Sequence, residues 1–272
     1  MPDTPIASGE TATLALSHPD LVPPPRPVQF TAGATAELRD AMARFSGPAD
    51  HAPRRAAIVD CVAAIDLAEV TNVAAAITDE HLGDESVDVV ALSWAVPTYT
   101  LAQVLGVAGD REAVRADTEA IARVIGRNEP SSAVSDAAAE RLLAACAGHD
   151  DPVAVASILY QNHDATSGLI RSEAVAAFTA RGAPAPASTR RVASAPTTIG
   201  ELDIAAGSEV VIDLAGMRYG AGPHRCPGEA LAVAIASGVT GALQRRGYRC
   251  DPAVVEVDAA GAATRLVMEV AQ

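Results

Sequence analysis

The sequence predicts a mainly α-helical protein with a small β-sheet. Of its 272 residues, 49% are hydrophobic and only 3% are aromatic, and side chains this small favour closely packed helices over a sheet sandwich. Apolar residues recur every three or four positions between residues 35 and 181, whereas residues 190–216 form short alternating stretches separated by turn residues. The length suits one large domain or two small ones, and we predict a single domain over 31–272.

Several elements can be assigned along the chain. Residues 1–30 are proline-rich and lack a periodic apolar pattern, which predicts an extended or poorly ordered N-terminal arm. Residues 89–109 are uncharged but contain Pro97, from which we expect a buried helix, a turn and a second helix. Asp151 and Pro152 are typical of the start of a long helix, and a further helix is predicted over 227–246.

Charge and cysteine usage exclude several classes of protein. A net charge of −14 argues against nucleic-acid binding, and we expect no membrane association. The four cysteines, Cys61, Cys146, Cys226 and Cys250, have no zinc-finger spacing, and the sequence shows no signal peptide. We therefore expect a cytoplasmic protein.

One region runs against the overall charge. Residues 216–250 contain only one acid, Glu229, but five arginines: Arg218, Arg225, Arg245, Arg246 and Arg249. They form either a solvated, arginine-rich helix end or a docking patch for an acidic partner.

The stretch "RYGAGPHRCPGEALA", residues 218–232, carries the most specific signal. Gly220 and Gly222 allow backbone angles that other residues avoid. Pro227 fits the first turn of a helix, where free N–H groups would lower the pKa of the Cys226 thiol and stabilise a metal-binding thiolate. A phosphate-binding turn or a small buried cysteine would be the simpler interpretations.

Residue by residue, this stretch resembles the haem-ligand loop of the cytochrome P-450 family. The matched positions are Tyr219, Gly220, Gly222, His224, Cys226 and Gly228. The resemblance implies a compacted cytochrome P-450-like fold in which Cys226 is the axial ligand of haem b, iron protoporphyrin IX.

Other stretches resemble the segments with which that family binds the haem propionates. "GPADHAPRRAAIVD" matches at His51 and Arg55, one helical turn apart, and the predicted sheet segment matches at Arg191. With His224, the resemblance implies four side chains directed at the propionates.

The helix that crosses the haem in the family differs here. The matching residues are Gln161, Asn162, His163, Asp164, Ala165 and Thr166, so the acid is kept while Ala165 replaces the alcohol that relays protons. We predict a shared face for Ile158, Gln161, Asn162, Ala165 and Leu169, with Ala165 against the cofactor. Gln161, Asn162, His163, Asp164 and Thr166 are the candidate catalytic residues. The Glu-x-x-Arg pair of the family is absent or displaced, because Phe178 stands where aligning Arg181 would require Glu.

Three functions follow from the resemblance. The first is a haem-thiolate enzyme of bacterial specialised metabolism that acts on a small molecule without the oxygen-activation relay, by isomerisation, dehydration, or peroxide or N–O chemistry. The second is a monooxygenase supplied with electrons by a ferredoxin docked near the five arginines. The third is a haem-binding protein without catalysis, and a homodimer is an open alternative to a monomer.

Overall fold

The computed structural model describes residues 4–30, 32–127, 129–179, 188–251, 255–257 and 263–270. Its α-helices, in chain order, are α1 (Gly9–Ser17), α2 (Ala34–Ala41), α3 (Pro48–Ala63), α4 (Leu67–His81), α5 (Val89–Leu105), α6 (Arg111–Arg127), α7 (Ala133–Ala145), α8 (Pro152–Thr179) and α9 (Glu229–Arg245).

The long helix α8 organises the helical part of the molecule. It packs against α3, α5, α6 and α9, and α9 in turn packs closely against α4. Asp151 begins α8 as predicted, because its side chain accepts a hydrogen bond from the backbone N–H of Ala154. Small residues allow these close approaches, and a Cβ atom added at Gly238 of α9 would lie 2.5 Å from the carbonyl oxygen of Thr71.

The sheet structure is small, as predicted. The strands are β1 (Ile6–Ala7), β2 (Leu21–Val22), β3 (Ser86–Asp88), β4 (Ser188–Ala193), β5 (Thr197–Ile199), β6 (Leu202–Ile204), β7 (Glu209–Asp213), β8 (Tyr248–Arg249), β9 (Glu256–Val257), β10 (Ala263–Arg265) and β11 (Val267–Val270). The largest sheet has the order β1-β7-β4-β2, in which only β1 and β7 are parallel. Strand β11 pairs with β3 and β8, and short antiparallel ladders join β5 to β6 and β9 to β10.

The N-terminal segment differs from the extended or poorly ordered arm predicted for residues 1–30. It contains β1, α1 and β2, and both strands belong to the four-stranded sheet. Ala12, Ala15 and Leu16 of α1 are buried in a core that they share with the sheet. A helix of nine residues gives too short an apolar pattern to be recognised, and its burial depends on partners 180 residues later in the chain.

The segment around Pro97 also differs from its prediction. Residues Val89–Leu105 form one continuous helix with Pro97 inside it, and Gly106 ends it in a left-handed conformation. Pro97 is buried together with its neighbours Val96 and Thr98. The burial of these three residues in the core outweighs the one backbone hydrogen bond that proline removes. By length and composition, no single helix in the described ranges could cross a membrane, whereas the bent pair α3 and α4 passes the same test together.

Candidate functional site

The cysteine loop connects β7 to α9. A 3-10 turn spans Gly222–His224, and the backbone N–H of Cys226 donates to the carbonyl oxygen of Tyr219 at 2.9 Å. Gly220 and Gly222 have φ values of 70° and 66°, so both glycines adopt the left-handed conformation expected of them. The loop therefore holds Cys226 in a tight turn, as the sequence predicts.

The surroundings of the Cys226 thiol differ in one respect from the prediction. Helix α9 begins at Glu229, so Cys226 lies before the helix and Pro227 is not in its first turn. Burial and, to a smaller extent, the charge of Glu229 raise the pKa of Cys226 above its usual value, whereas a hydrogen bond from the backbone of Gly228 and the charges of Arg44 and Arg55 act to lower it. In the protein alone, desolvation outweighs these groups, and the expected lowering of the thiol pKa is not found.

The four residues predicted to serve one cofactor come together beside this loop. The imidazole rings of His51 on α3 and His224 in the loop lie 3.9 Å apart between centroids. Arg55 donates to the carbonyl oxygen of Arg225 at 2.6 Å, and Arg191 on β4 interacts electrostatically with both histidines. Residues distant in sequence thus form a single cationic cluster.

Burying these imidazole and guanidinium groups lowers the stability of the protein when no anion is bound to them. Burial, with the neighbouring His51 and arginine charges, lowers the pKa of His224 to about 3, and burial chiefly lowers that of His51. Arg191 is only 8% exposed, and burial, with a smaller effect of Arg44, lowers its pKa to about 10. Across the described parts of the chain, no carboxylate forms an ion pair with Arg44, Arg55 or Arg191. The cluster is therefore suited to an anion supplied from outside the chain.

Arg44 belongs to this cluster although no sequence motif points to it. It lies in the short turn Ala43–Phe45 between α2 and α3, and its charge acts on Arg191, His224 and Cys226. Its sequence context, "AMARF", matches no motif, and only its position in the fold reveals it.

The residues of the predicted face of α8 differ in burial. Ala165 is exposed in the middle of a helix whose neighbouring turns are otherwise mostly buried. Gln161, one turn earlier, is half-buried and donates to the carbonyl oxygen of Ser157 in its own helix at 3.3 Å. Asn162 is buried beside them, and its Oδ1 accepts a hydrogen bond from the hydroxyl of Thr166, one turn later.

The structure does not bring His163 and Asp164 to that face. The Nδ1 atom of His163 lies 3.4 Å from the hydroxyl of Thr98 on α5, and its ring lies 5.2 Å from that of Trp94. Asp164 points towards α6, because a Cβ atom added at Gly126 would lie 3.1 Å from its Oδ2. Successive residues of a helix point about 100° apart, so five nearly consecutive residues cannot share one site. The side chains of His163 and Asp164 thus lie away from Ala165, and a catalytic role for either residue stays a prediction.

The five arginines proposed as a docking patch are largely engaged within the chain. Arg218 pairs with Glu173 at 2.9 Å, Arg245 with Asp79 at 3.5 Å, and Arg225 with Glu229. The guanidinium of Arg249 donates to the carbonyl oxygen of Tyr248, and Arg246 is exposed at the end of α9. Because acids from other elements offset much of the local charge, the patch is weaker than the sequence suggested.

The overall fold of the chain is that of the cytochromes P450, as comparison with known proteins shows. No family model matches the chain, and no curated protein matches it. Several solved structures do match the chain. One is P450BioI, crystallised with an acyl carrier protein that carries hexadec-9Z-enoic acid. The alignment covers 97% of this chain and 91% of P450BioI, with a TM-score of 0.78 and 15% sequence identity.

Two further solved structures agree. A thermophilic cytochrome P450 from Sulfolobus tokodaii matches with a TM-score of 0.72 and 14% identity, over 96% of this chain and 92% of that one. A structure from work on unusual cytochrome P450-like monooxygenases of microbial secondary metabolism matches with a TM-score of 0.72 and 15% identity, over 95% and 90%. The predicted fold is thus confirmed, at an identity that fits a divergent sequence. Arg181, on which the Glu-x-x-Arg comparison depends, lies outside the described residues.

Proposed function

We propose that this protein is a haem-thiolate enzyme that acts on a small molecule at the haem iron by a reaction that does not use the oxygen-activation relay. Isomerisation, dehydration of an N–O compound and reaction with a peroxide are chemistries of this kind. The observation that carries the proposal is the cluster of His51, Arg55, Arg191 and His224 beside Cys226, in which the buried Arg191 meets no carboxylate among the described residues. A haem fits this site because its two propionates are the anions that the cluster lacks.

Each residue of the cluster has a defined part in binding haem b. Cys226 would bind the iron through its sulfur, and Arg55, Arg191, His51 and His224 would bind the propionates. Tyr219, Gly220, Gly222 and Gly228 shape the loop around the cysteine. When bound, the haem supplies an iron centre that can polarise or exchange electrons with a substrate group.

The residues of α8 favour a reaction outside the usual oxygen chemistry. Ala165 offers no proton at the position where the family has an alcohol, and the hydroxyl proton of Thr166 is already donated to Asn162. This bond fixes the amide of Asn162 and leaves its buried Nδ2 without a partner among the described residues. An oriented amide donor can hold a polar substrate group, but it does not transfer protons readily at neutral pH.

A ferredoxin-dependent monooxygenase is the second candidate. The likeness to P450-like monooxygenases of secondary metabolism supports it, and so does the exposed Arg246 as part of a contact for an acidic partner. The internal pairing of Arg218, Arg225 and Arg245 counts against a strong docking site. A haem-binding protein without catalysis is the third candidate, and a homodimer is compatible with all three.

Spectroscopy tests the haem site. Reduced protein treated with carbon monoxide should show the red-shifted Soret band of thiolate ligation. Cys226→Ala should abolish this band, whereas Cys61→Ala, which removes a half-buried thiol outside the loop, should preserve it. A histidine-like spectrum in the unaltered protein, or an unchanged band in Cys226→Ala, would disprove haem-thiolate binding.

Turnover separates the candidate reactions. The proposed reaction predicts that phenylacetaldoxime is dehydrated, or cumene hydroperoxide consumed, under anaerobic conditions without NADPH. Substrate-dependent NADPH use that requires oxygen, ferredoxin and reductase would instead establish the monooxygenase. Asn162→Gly should lower the anaerobic turnover about tenfold or more if its amide orients the substrate. Unchanged turnover in that variant would disprove the role of Asn162.

A further inference from the structure

A second cavity lies on the other side of α8 from Ala165. It has a volume of about 870 Å³ and is bounded by the end of α4, strand β3 and helices α5, α6 and α8. His163 contributes α8's part of the lining, and its side chain points about 200° away from that of Ala165 around the helix axis. The cavity therefore differs from the site beside Cys226, and its volume is typical of a small-molecule site.

One wall of the cavity is apolar. Val87, Ala91, Leu92 and Ala95 line it together with the indole of Trp94. This wall can bury a hydrocarbon chain or a ring, which would contribute roughly 25 cal/mol for each Å² removed from water.

The carboxylates in the lining already form hydrogen bonds or ion pairs with other groups of the protein. Glu112 binds Arg115 and accepts a hydrogen bond from the hydroxyl of Tyr99. These two hydrogen bonds lower the pKa of Glu112 to about 2, although burial acts in the opposite direction. Glu119 binds Arg115 at 2.9 Å and Arg123 at 3.4 Å. Asp88 accepts from the backbone N–H groups of Val90 and Ala91 at the start of α5.

The aromatic faces are occupied as well. The guanidinium of Arg111 lies 5.0 Å from the ring centre of Tyr99, and that of Arg171 lies 4.9 Å from the ring of Trp94. A cationic ligand would thus compete with the protein's own cations both for the carboxylates and for the rings.

Arg127 and His163 are the lining side chains best placed to bind a ligand group. Arg127 lines the cavity and lies 5.9 Å from the ring of Trp94, yet it pairs with no carboxylate in the described ranges. His163 is 1% exposed, and its Nε2 has no hydrogen-bond partner among the residues described. Burial lowers the pKa of His163, although the charges of Asp164 and Glu119 act in the opposite direction, and its Nε2 is the ring atom left to exchange a hydrogen bond with a ligand.

We propose that this cavity binds an aromatic carboxylate, whose ring packs on the apolar wall and whose carboxylate pairs with Arg127. Arg127 has no carboxylate partner in the described residues, whereas the acids of the lining are already bonded within the protein, so an anion is favoured over a cation. The proposal does not depend on haem binding or on the reaction proposed above.

Trp94 provides a direct measurement, because it is the only tryptophan of the chain. Titration of the purified protein with 3-phenylpropionate should change the Trp94 emission, excited at 295 nm, until it saturates. The neutral 3-phenylpropanamide should bind about tenfold or more weakly, because it cannot form the charged hydrogen bond to Arg127. A response that never saturates, or equal affinities for the acid and the amide, would overturn the proposal.

Variants locate the site. Arg127→Gln should remove the preference for the acid, whereas Arg141→Gln, on α7 and paired with Asp117 outside the lining, should keep it. Ala95→Phe should place a ring against the apolar wall and weaken binding of both probes, with folding checked by circular dichroism. Arg127→Gln that keeps the full preference for the acid would contradict the proposal.

One further variant separates this cavity from the haem site. In Cys226→Ala the affinity for 3-phenylpropionate should be unchanged, and in the unaltered protein saturation should leave the Soret band in place. Loss of binding in Cys226→Ala would show that the probe occupies the site beside the cysteine, and the assignment to the second cavity would then be wrong.

Discussion

His51 on α3 and His224 in the cysteine loop lie with their rings 3.9 Å apart, inclined at 43°. Neither imidazole can become positively charged without facing the other and the nearby arginines. The contact joins a helix from the first quarter of the chain to a loop from the last, and it makes the assembly of the site sensitive to protonation.

This contact predicts that the haem-free protein is acid-sensitive. Burial and neighbouring cations lower the pKa of His224 to about 3, whereas an unfolded histidine titrates near 6.5. The unfolded chain therefore binds more protons between these values, and stability is complete above about pH 6.5 and falls as the pH drops towards 3. Urea unfolding of haem-free protein at pH 7.5, 6.5 and 5.5 measures this loss.

Two comparisons check the cause. His224→Gln should flatten the dependence on pH, because the titrating group is gone. Haem-loaded protein should also lose less stability at low pH, since the propionates favour the charged imidazoles. A loss of the same size in His224→Gln would assign the acid sensitivity to other groups.

Arg191 is predicted to have opposite effects on the empty and the loaded protein. Arg191→Met removes a buried charge that lacks an anionic partner in the described residues, so the haem-free protein should gain about 1 kcal/mol or more of stability. The same change should weaken haem binding about tenfold, because one propionate loses its cation. Urea unfolding and haem titration measure the two effects.

Arg190→Met is the matched control. Arg190 directly precedes Arg191 on β4, but its side chain is exposed and pairs with Glu209 at 3.1 Å. We expect its replacement to change both quantities by less than about 0.5 kcal/mol. A loss of stability in haem-free Arg191→Met would mean that its bonds to Thr189 and to the carbonyl of Arg190 outweigh the cost of burial.

Features of this site that depend on neighbouring residues in the sequence could be predicted, whereas features that depend on contacts between distant elements could not. The turn around Cys226 is encoded locally by Gly220 and Gly222, and its conformation is predictable from them, whereas Pro227 wrongly predicted that the helix starts directly after the cysteine. The directions of His163 and Asp164 were not predictable, because they depend on how α5 and α6 pack around α8. Arg44 joins the cluster through tertiary contact alone, which no local pattern reports.

The same distinction holds for the fold. Helix α8 was predicted within a few residues because its apolar period extends over many turns and its start carries Asp151. Helix α1 was missed because it is short and its partners lie in a distant sheet. Pro97 misled the prediction for α5, since burial in the core offsets the local cost of proline.

Asn162 and Thr166 are predicted to act as a coupled pair. Since the Thr166 hydroxyl donates to the Asn162 amide oxygen, Thr166→Val should lower substrate turnover by releasing the amide. Once Asn162→Leu is present, Thr166→Val should have little further effect, and a double-mutant cycle should give a coupling energy of about 1 kcal/mol. Ser167→Ala is the control, because Ser167 bonds Ser93 on α5 instead. Additive effects of the two changes would exclude the coupling.

The close packing of α9 on α4 gives a prediction about the support of the cysteine loop. A Cβ atom at Gly238 would lie 2.5 Å from the backbone oxygen of Thr71 and 2.8 Å from the Cβ of Ala74, so Gly238→Ala must push the two helices apart. We expect a loss of about 1–3 kcal/mol in stability, with weaker haem retention because α9 carries the loop. Gly241→Ala, in the same helix, would meet only the flexible Arg245 at 3.5 Å and should gain about 0.5–1 kcal/mol from helix propensity. Urea unfolding of both variants distinguishes close helix packing from a general intolerance of alanine, and equal losses in the two would contradict the packing explanation.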